Sequence, residues 1–248
     1  MEKIRVAVVG ADGRMGGTVC NAVKAADDME LVAEITINDE LTTSTLNGAE
    51  VAVEFTVPSA TQSNVKKLID LGCHVVVGTT GWTQTAYDDI AAKISEDAAP
   101  HVLIAPNFAL GAVLMMKFAA MAAPYFESVE VIEMHHPNKV DAPSGTAIAT
   151  AQKIAAARRD AGCQPLPDAT ETDPNGARGS LYDGVPVHAV RLRGLNAHEE
   201  ILLGNPGEQF VLRSDCFDRG SFMPGVLHAV RKVGALPGLT IGLEKILD

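Results

Sequence analysis

The segment Gly10-Ala11-Asp12-Gly13-Arg14-Met15-Gly16 constrains this chain more than any other feature, because of what stands on either side of it. Before it, Ile4 to Val9 is a nearly continuous apolar run, the pattern of a parallel strand buried on both faces. After it, Met15, Val19, Ala22, Val23 and Ala26 recur on a 3.6-residue period and form one stripe of a helix. A glycine-rich turn from strand to helix is where a Rossmann-type domain holds a pyrophosphate. Glycine lets the backbone turn tightly, lets a phosphate approach without a β-carbon in the way, and packs the helix start on the strand. The free N–H groups and the positive end of the helix dipole then hold the anion. The spacing is G-x-x-G-x-x-G rather than G-x-G-x-x-G, so context carries the assignment as much as the glycines do. A glycine turn of purely structural purpose is the competing reading.

The alternation continues. Leu31 to Ile37 and Val51 to Thr56 read as strands, and Ala60 to Leu71 as a helix closed by Gly72 in the left-handed region. His74 to Val77, Thr83 to Glu96 and His101 to Ala105 repeat strand, helix, strand. Repeated βαβ units predict an open parallel sheet covered on both faces. After Pro106 the pattern changes. Ala109 to Phe126 and Thr146 to Arg159 read as alanine-rich helices, and Val129 to His135 as a strand between them. Residues 162–184, rich in Pro, Gly, Asp and Asn, read as a long irregular loop. Strands near Val185 to Leu192, Ala197 to Leu203 and Gln209 to Ser214 suggest a mostly antiparallel sheet. Phe222 to Val233 is helical again, and Leu239 to Leu243 is expected to rejoin the first sheet. The fold class is therefore α/β: a Rossmann-type parallel-sheet dinucleotide-binding domain, residues 1–106 and 216–248, plus an α+β domain, residues 107–215.

Composition narrows the partners. The 248 residues are long enough to bury a core without metal or disulfide staples. Lys plus Arg number 20 against 31 Asp plus Glu, a net charge of −11, so nucleic acid and anionic membranes are poor partners. No apolar stretch has the length of a membrane span, and no signal-peptide core follows Met1-Glu2-Lys3, which points to a cytoplasmic protein. Cys20, Cys73, Cys163 and Cys216 lie far apart with no C-x-x-C pair and are read as reduced thiols.

A dinucleotide also needs loops at the carboxyl ends of the other strands. Glu54-Phe55-Thr56, Gly78-Thr79-Thr80-Gly81 and Ala105-Pro106-Asn107-Phe108 are those loops, small and hydroxylated enough for a nicotinamide ribose to approach. A second constellation, Met134-His135-His136-Pro137-Asn138-Lys139-Val140-Asp141-Ala142-Pro143-Ser144-Gly145-Thr146-Ala147, packs two histidines, a lysine and a helix start together. Lys139 offers a cation, and Ser144, Gly145 and Thr146 offer hydroxyls and free N–H groups, which suits a substrate with carboxylates. His135 or His136 then serves as acid or base. Neighbouring strand residues point to opposite faces, so the two histidines do not share a metal ion and none is expected. By the same alternation Glu133 and His135 share a face.

Taken together, G-A-D-G-R-M-G, V-G-T-T-G, I-A-P-N-F and above all E-M-H-H-P-N-K-V-D-A-P-S-G-T-A resemble the dihydrodipicolinate reductase family, nearly end to end. The resemblance implies reduction of a small cyclic imine dicarboxylate by NADH or NADPH in the diaminopimelate route to lysine. It implies His135 as general acid, Lys139 as its cationic partner, and His136, Gly145 and Thr146 as binders of the substrate carboxylates. It also implies a homotetramer built through the sheet of the second domain. The family often has an acidic residue near the end of the second strand to grip the adenosine ribose, and Thr36 stands there. Arg14 is placed to attract a 2′-phosphate and Asp12 to oppose that attraction, so use of both NADH and NADPH, within roughly tenfold, is expected. Another two-domain NAD(P)-dependent amino-acid dehydrogenase, or a nucleotide sensor without catalysis, remain as alternatives.

Overall fold

The computed structural model describes residues 2–94 and 98–247, and they divide into two compact units, Met1–Ala109 with Arg219–Asp248, and Leu110–Asp218. The chain runs β1 (Ile4–Val9), α1 (Arg14–Ala25), β2 (Met29–Ile35), α2 (Thr43–Leu46), β3 (Val51–Glu54), α3 (Pro58–Asp70), β4 (His74–Val77), α4 (Gln84–Ala91) and β5 (Val102–Ile104). The second unit follows: α5 (Leu110–Ala122), β6 (Ser128–His135), α6 (Gly145–Asp160), β7 (Ser180–Tyr182), β8 (Val185–Arg191), β9 (Ala197–Asn205) and β10 (Glu208–Cys216). The chain then returns to the first unit with α7 (Met223–Lys232) and β11 (Leu239–Ile241).

The first unit is a sheet of order β11-β5-β4-β3-β1-β2, parallel throughout. The apolar runs explain it: Val6, Ala7, Val8, Ala52, Val53, Val75 and Val76 are fully buried, as strands covered on both faces must be. Leu68, Val65 and Ile90 of α3 and α4 cover one face. Pro58 starts α3 with its φ already set for a helix, and Gly72, at φ +80°, ends it as expected. The expected helix from Thr83 begins one residue later, with Thr83 as its N-cap, and ends at Ala91; Ser95–Asp97 lie outside the described residues. α2 was not anticipated; Thr42 and Thr45 cap it reciprocally, each side chain taking the other's backbone N–H. β1 lies between β2 and β3, so the chain reverses its direction of travel across the sheet there, and a crevice opens at the carboxyl ends of these strands.

The second unit has one sheet, β10-β9-β6-β8-β7, with α5 and α6 packed on one face through Met115, Ala119, Ala151 and Ile154 against Val131, Val187 and Ile201. Three of its pairings are antiparallel, but β6 and β8 run parallel, because α6 and the segment after it carry the chain back to start β8 in the same direction. The loop expected over residues 162–184 contains β7, which pairs with β8 through Asp183-Gly184. Both turn residues have positive φ, +51° and +88°, the backbone of a two-residue hairpin that matches strand twist. Among the described residues no helix is long and apolar enough to cross a membrane.

Candidate active site

In the first unit, glycine is required at two of the three expected positions. Gly10 has φ +88°, and a β-carbon there would stand 2.2 Å from the carbonyl oxygen of Phe55. At Gly16 it would stand 1.9 Å from the carbonyl oxygen of Gly10. Gly13 is the N-cap of α1 and brings no side-chain cap, so the N–H groups of the first turn, Arg14, Met15 and Gly16, face outward as an anion cradle. Ala11 is placed otherwise: its side chain is buried, and its N–H donates to the Ile35 carbonyl at 3.0 Å.

Two cavities flank this turn. One, about 310 Å³, is lined by Gly13, Arg14, Met15, Thr56, Gly78 and Thr80, with Phe55, Pro58 and Thr79 completing it. The other, about 370 Å³, lies at the end of β2 and is lined by Gly10, Asp12, Gly13, Thr36, Ile37 and Asp39 among others. A glycine cradle with a cavity on each side fits a dinucleotide, whose two nucleosides diverge from one pyrophosphate. The strand-end loops lock one another: the Thr79 hydroxyl accepts from the Thr56 N–H at 2.8 Å, and a β-carbon at Gly78 would collide with the Phe55 ring. Ala105, Pro106, Asn107 and Phe108 line neither cavity; Phe108 is buried and its ring lies 5.8 Å from that of Phe55. Arg14 lines the first of these cavities, and Asp12 and Thr36 line the second, at the end of β2. Glu54, placed by the sequence in a strand-end loop, is fully buried at the end of β3 and accepts from the hydroxyls of Thr56 and Thr61.

In the second unit, β6 carries Glu133 and His135 on one face as alternation requires, and Glu133 Oε2 meets His135 Nδ1 at 2.6 Å. Glu133 has no solvent exposure and is held from three sides. Arg191, paired with His135 across β6 and β8, donates both terminal nitrogens to its two oxygens at 2.7 Å each. The Ser144 N–H donates to Oε1 at 3.0 Å. Burial by itself would raise the Glu133 carboxyl, but the Arg191 and His135 hydrogen bonds prevail and hold it below its usual range. An ionised Glu133 fixes the proton on His135 Nδ1 and leaves Nε2 as the nitrogen that exchanges protons. Burial lowers the His135 pKa from its ordinary value, and the neighbouring Glu133 offsets this only in part.

Lys139 is paired not with His135 but with Asp141, at 2.7 Å. Ser144 is buried: its N–H donates to Glu133, and its hydroxyl oxygen caps α6 by accepting from Ala147 N at 3.2 Å. Gly145 and Thr146 open α6 beyond that cap, and nothing lies within 4 Å of a β-carbon built at Gly145. His136 Nδ1 is buried with no hydrogen-bond partner among the described residues. Such an orphan is costly unless a ligand completes it. Glu199, directly across β9 from Glu133, is also buried; Thr150 donates to it at 2.6 Å, and burial pushes its carboxyl up to about 7. Arg191 and Glu199 were not singled out from sequence, since neither stands in the histidine segment.

Family models described as dihydrodipicolinate reductase, N-terminus and C-terminus, match residues 4–108 and 111–247. A 4-hydroxy-tetrahydrodipicolinate reductase of Bifidobacterium animalis subsp. lactis is 60% identical over 252 residues, covering 99% of each chain. One from Beutenbergia cavernae is 58% identical over 246 residues, again 99% of each chain. Among solved structures, a dipicolinate-bound dihydrodipicolinate reductase from Paenisporosarcina sp. TG-14 superposes with a TM-score of 0.89 at 39% identity, covering 99% of this chain and 100% of that one.

Proposed function

The chain belongs to the dihydrodipicolinate reductase family, and from that premise we propose how its own residues carry out the family's reaction. It is a nicotinamide-dependent oxidoreductase that reduces 4-hydroxy-tetrahydrodipicolinate to tetrahydrodipicolinate in the diaminopimelate route to lysine. The reaction adds one hydride and one proton and releases the 4-hydroxyl as water. The dinucleotide, NADH or NADPH, supplies the hydride when bound. Gly10, Gly13, Arg14, Met15 and Gly16 would hold its pyrophosphate, with Asp12 and Thr36 toward its adenosine end and Phe55, Thr56, Gly78 and Thr80 toward its nicotinamide end, as the residues lining the two cavities suit.

The second unit binds the substrate and supplies the proton. His136 Nδ1, the first N–H groups of α6 at Gly145 and Thr146, and Lys139 take the two carboxylates. A dianion draws Lys139 away from Asp141 and, as a nearby negative charge, raises the His135 pKa, so that binding itself loads Nε2 with the proton to be given. His135 Nε2 then protonates the ring enamine left by hydride addition, and Glu133, clamped by Arg191, stabilises the imidazolium until it gives up its proton. The observation that carries this reading is the Arg191–Glu133–His135 clamp next in sequence to a buried His136 nitrogen that has no partner among the described residues. It is tested by supplying freshly made dihydrodipicolinate synthase product with NADH or NADPH and following the nicotinamide absorbance band. No loss of absorbance with either nucleotide would overturn it.

The sheet face opposite α5 and α6 presents Ile132, Met134, Val190, Leu202 and Val211 interspersed with Glu130, His188, Glu200 and Arg213, and we assign it to the contacts of a homotetramer. The family's biosynthetic role is the ground for expecting the chain in the cytoplasm.

A further inference from the structure

We propose that Asp39, tied in place by Thr36, discriminates between NADH and NADPH in this chain by accepting a hydrogen bond from the 2′-hydroxyl of the adenosine ribose and repelling a 2′-phosphate. The inference rests on the dinucleotide reading of the glycine turn.

Thr36 stands just past β2, where an acidic side chain serves this purpose in Rossmann-type domains. Threonine has no charge, and its hydroxyl is already committed. Its Oγ1 donates to Asp39 Oδ2 at 2.7 Å, and its backbone N–H donates to the same oxygen at 2.8 Å. Both bonds hold the Asp39 carboxyl below its usual range, the backbone one foremost, so the group is ionised at neutral pH. Oδ1 makes no hydrogen bond among the described residues and remains to accept one. The charge missing at Thr36 is thus supplied three residues later, by a carboxylate that the threonine itself orients.

The cavity supports the assignment independently. Asp39 and Asp12 both line it, and among the described residues no Lys or Arg does. Arg14 belongs to the other cavity. A ribose hydroxyl brings a donor to this rim, whereas a 2′-phosphate brings about two negative charges and finds no cation. A dianion some ~6 Å from one exposed carboxylate in a water-like dielectric loses about tenfold in affinity. Both nucleotides are therefore used, with NADH favoured by about that factor at low salt.

The test is titration of nicotinamide fluorescence with NADH and with NADPH at low and high salt, in the parent and in Asp39→Asn. Asparagine keeps a carbonyl oxygen for Thr36, so the turn persists and only the charge goes. The parent should bind NADH about tenfold more tightly, with the gap narrowing as salt screens it. Asp39→Asn should bring the two dissociation constants within about threefold, chiefly by tightening NADPH. Parent constants already within threefold would overturn the proposal. So would an Asp39→Asn variant that weakens both nucleotides by one common factor, the mark of a residue that only forms the turn. Failure of the parent to bind either nucleotide would overturn the dinucleotide reading as well.

Discussion

His135 depends on partners two and fifty-six positions away in the chain, and that dependence makes its role measurable. Removing the acid in His135→Gln should lower kcat by about 10²- to 10⁴-fold while the NADH dissociation constant stays within a few-fold. Near-normal turnover would assign the proton to another group. Because burial holds the free imidazole below its ordinary 6.5, kcat/KM should decline as pH rises through a value under 6.5. Arg191→Met removes the cation that balances Glu133, which leaves more of the carboxylate's field on His135. That decline should then move to higher pH, and the fold should lose about 3 to 5 kcal/mol because a buried charge has lost its partner. An unmoved pH profile would show that the clamp does not tune the acid. Lys139 and Asp141 form a second pair whose members should act oppositely. Lys139→Met should raise KM and lower kcat together, by the ~1.5 to 3 kcal/mol of a charge-assisted contact. Asp141→Asn, which removes a competitor for the ammonium, should lower KM. Steady-state kinetics on both variants decides this; a raised KM in Asp141→Asn would place Asp141 on the substrate side.

At the scale of elements, β6 and β9 bring two carboxylates face to face, and only one has a guanidinium. Burial foremost, with the negative charge of Glu133 adding to it, makes Glu199 keep its proton to about 7 rather than 4.5. Between those values the unfolded chain releases a proton that the folded chain retains, so stability falls as pH rises from about 4.5 to about 7. Glu199→Gln should abolish that loss. Its melting temperature should match the parent's near pH 4.5 and exceed it by several degrees at pH 8, with an upper bound of about 3 kcal/mol. Equal melting temperatures at pH 8 would mean that Glu199 is already relieved by another group. Elements were legible from sequence to differing degrees. β1, α1 and α3 stood out because their periodicity is long and their ends are marked, α3 by Pro58 and Gly72. β7 did not, because its three residues lie in a tract of Pro, Gly and Asn, and only the Asp183-Gly184 pair advertised the hairpin. The parallel pairing of β6 with β8 was equally hidden, since strand direction depends on where α6 returns the chain and leaves no trace in alternation.

On the scale of the whole molecule, the unpaired face of the second sheet predicts association. Leu202→Asp, placing a second carboxylate beside Glu130 and against Val211, should turn a parent tetramer into smaller species by sedimentation velocity at micromolar concentration. A parent that sediments as a monomer would refute the tetramer. The sequence by itself determined the architecture and the chemistry on offer. A parallel sheet followed from apolar runs alternating with amphipathic helices, the proposed pyrophosphate turn from glycines at a strand–helix junction, and the proposed acid with its anion-binding neighbours from the histidine segment. These are local matters, governed by period, turn geometry and residue type over a dozen positions. Only the tertiary structure decided which groups pair. Arg191 reaches Glu133 because β8 lies beside β6, Lys139 turns to Asp141, Arg14 falls in one cavity and Asp39 in the other. Hydrogen bonds and charges act over a few ångströms of space, and distance along the chain does not reveal that separation until the sheets have closed.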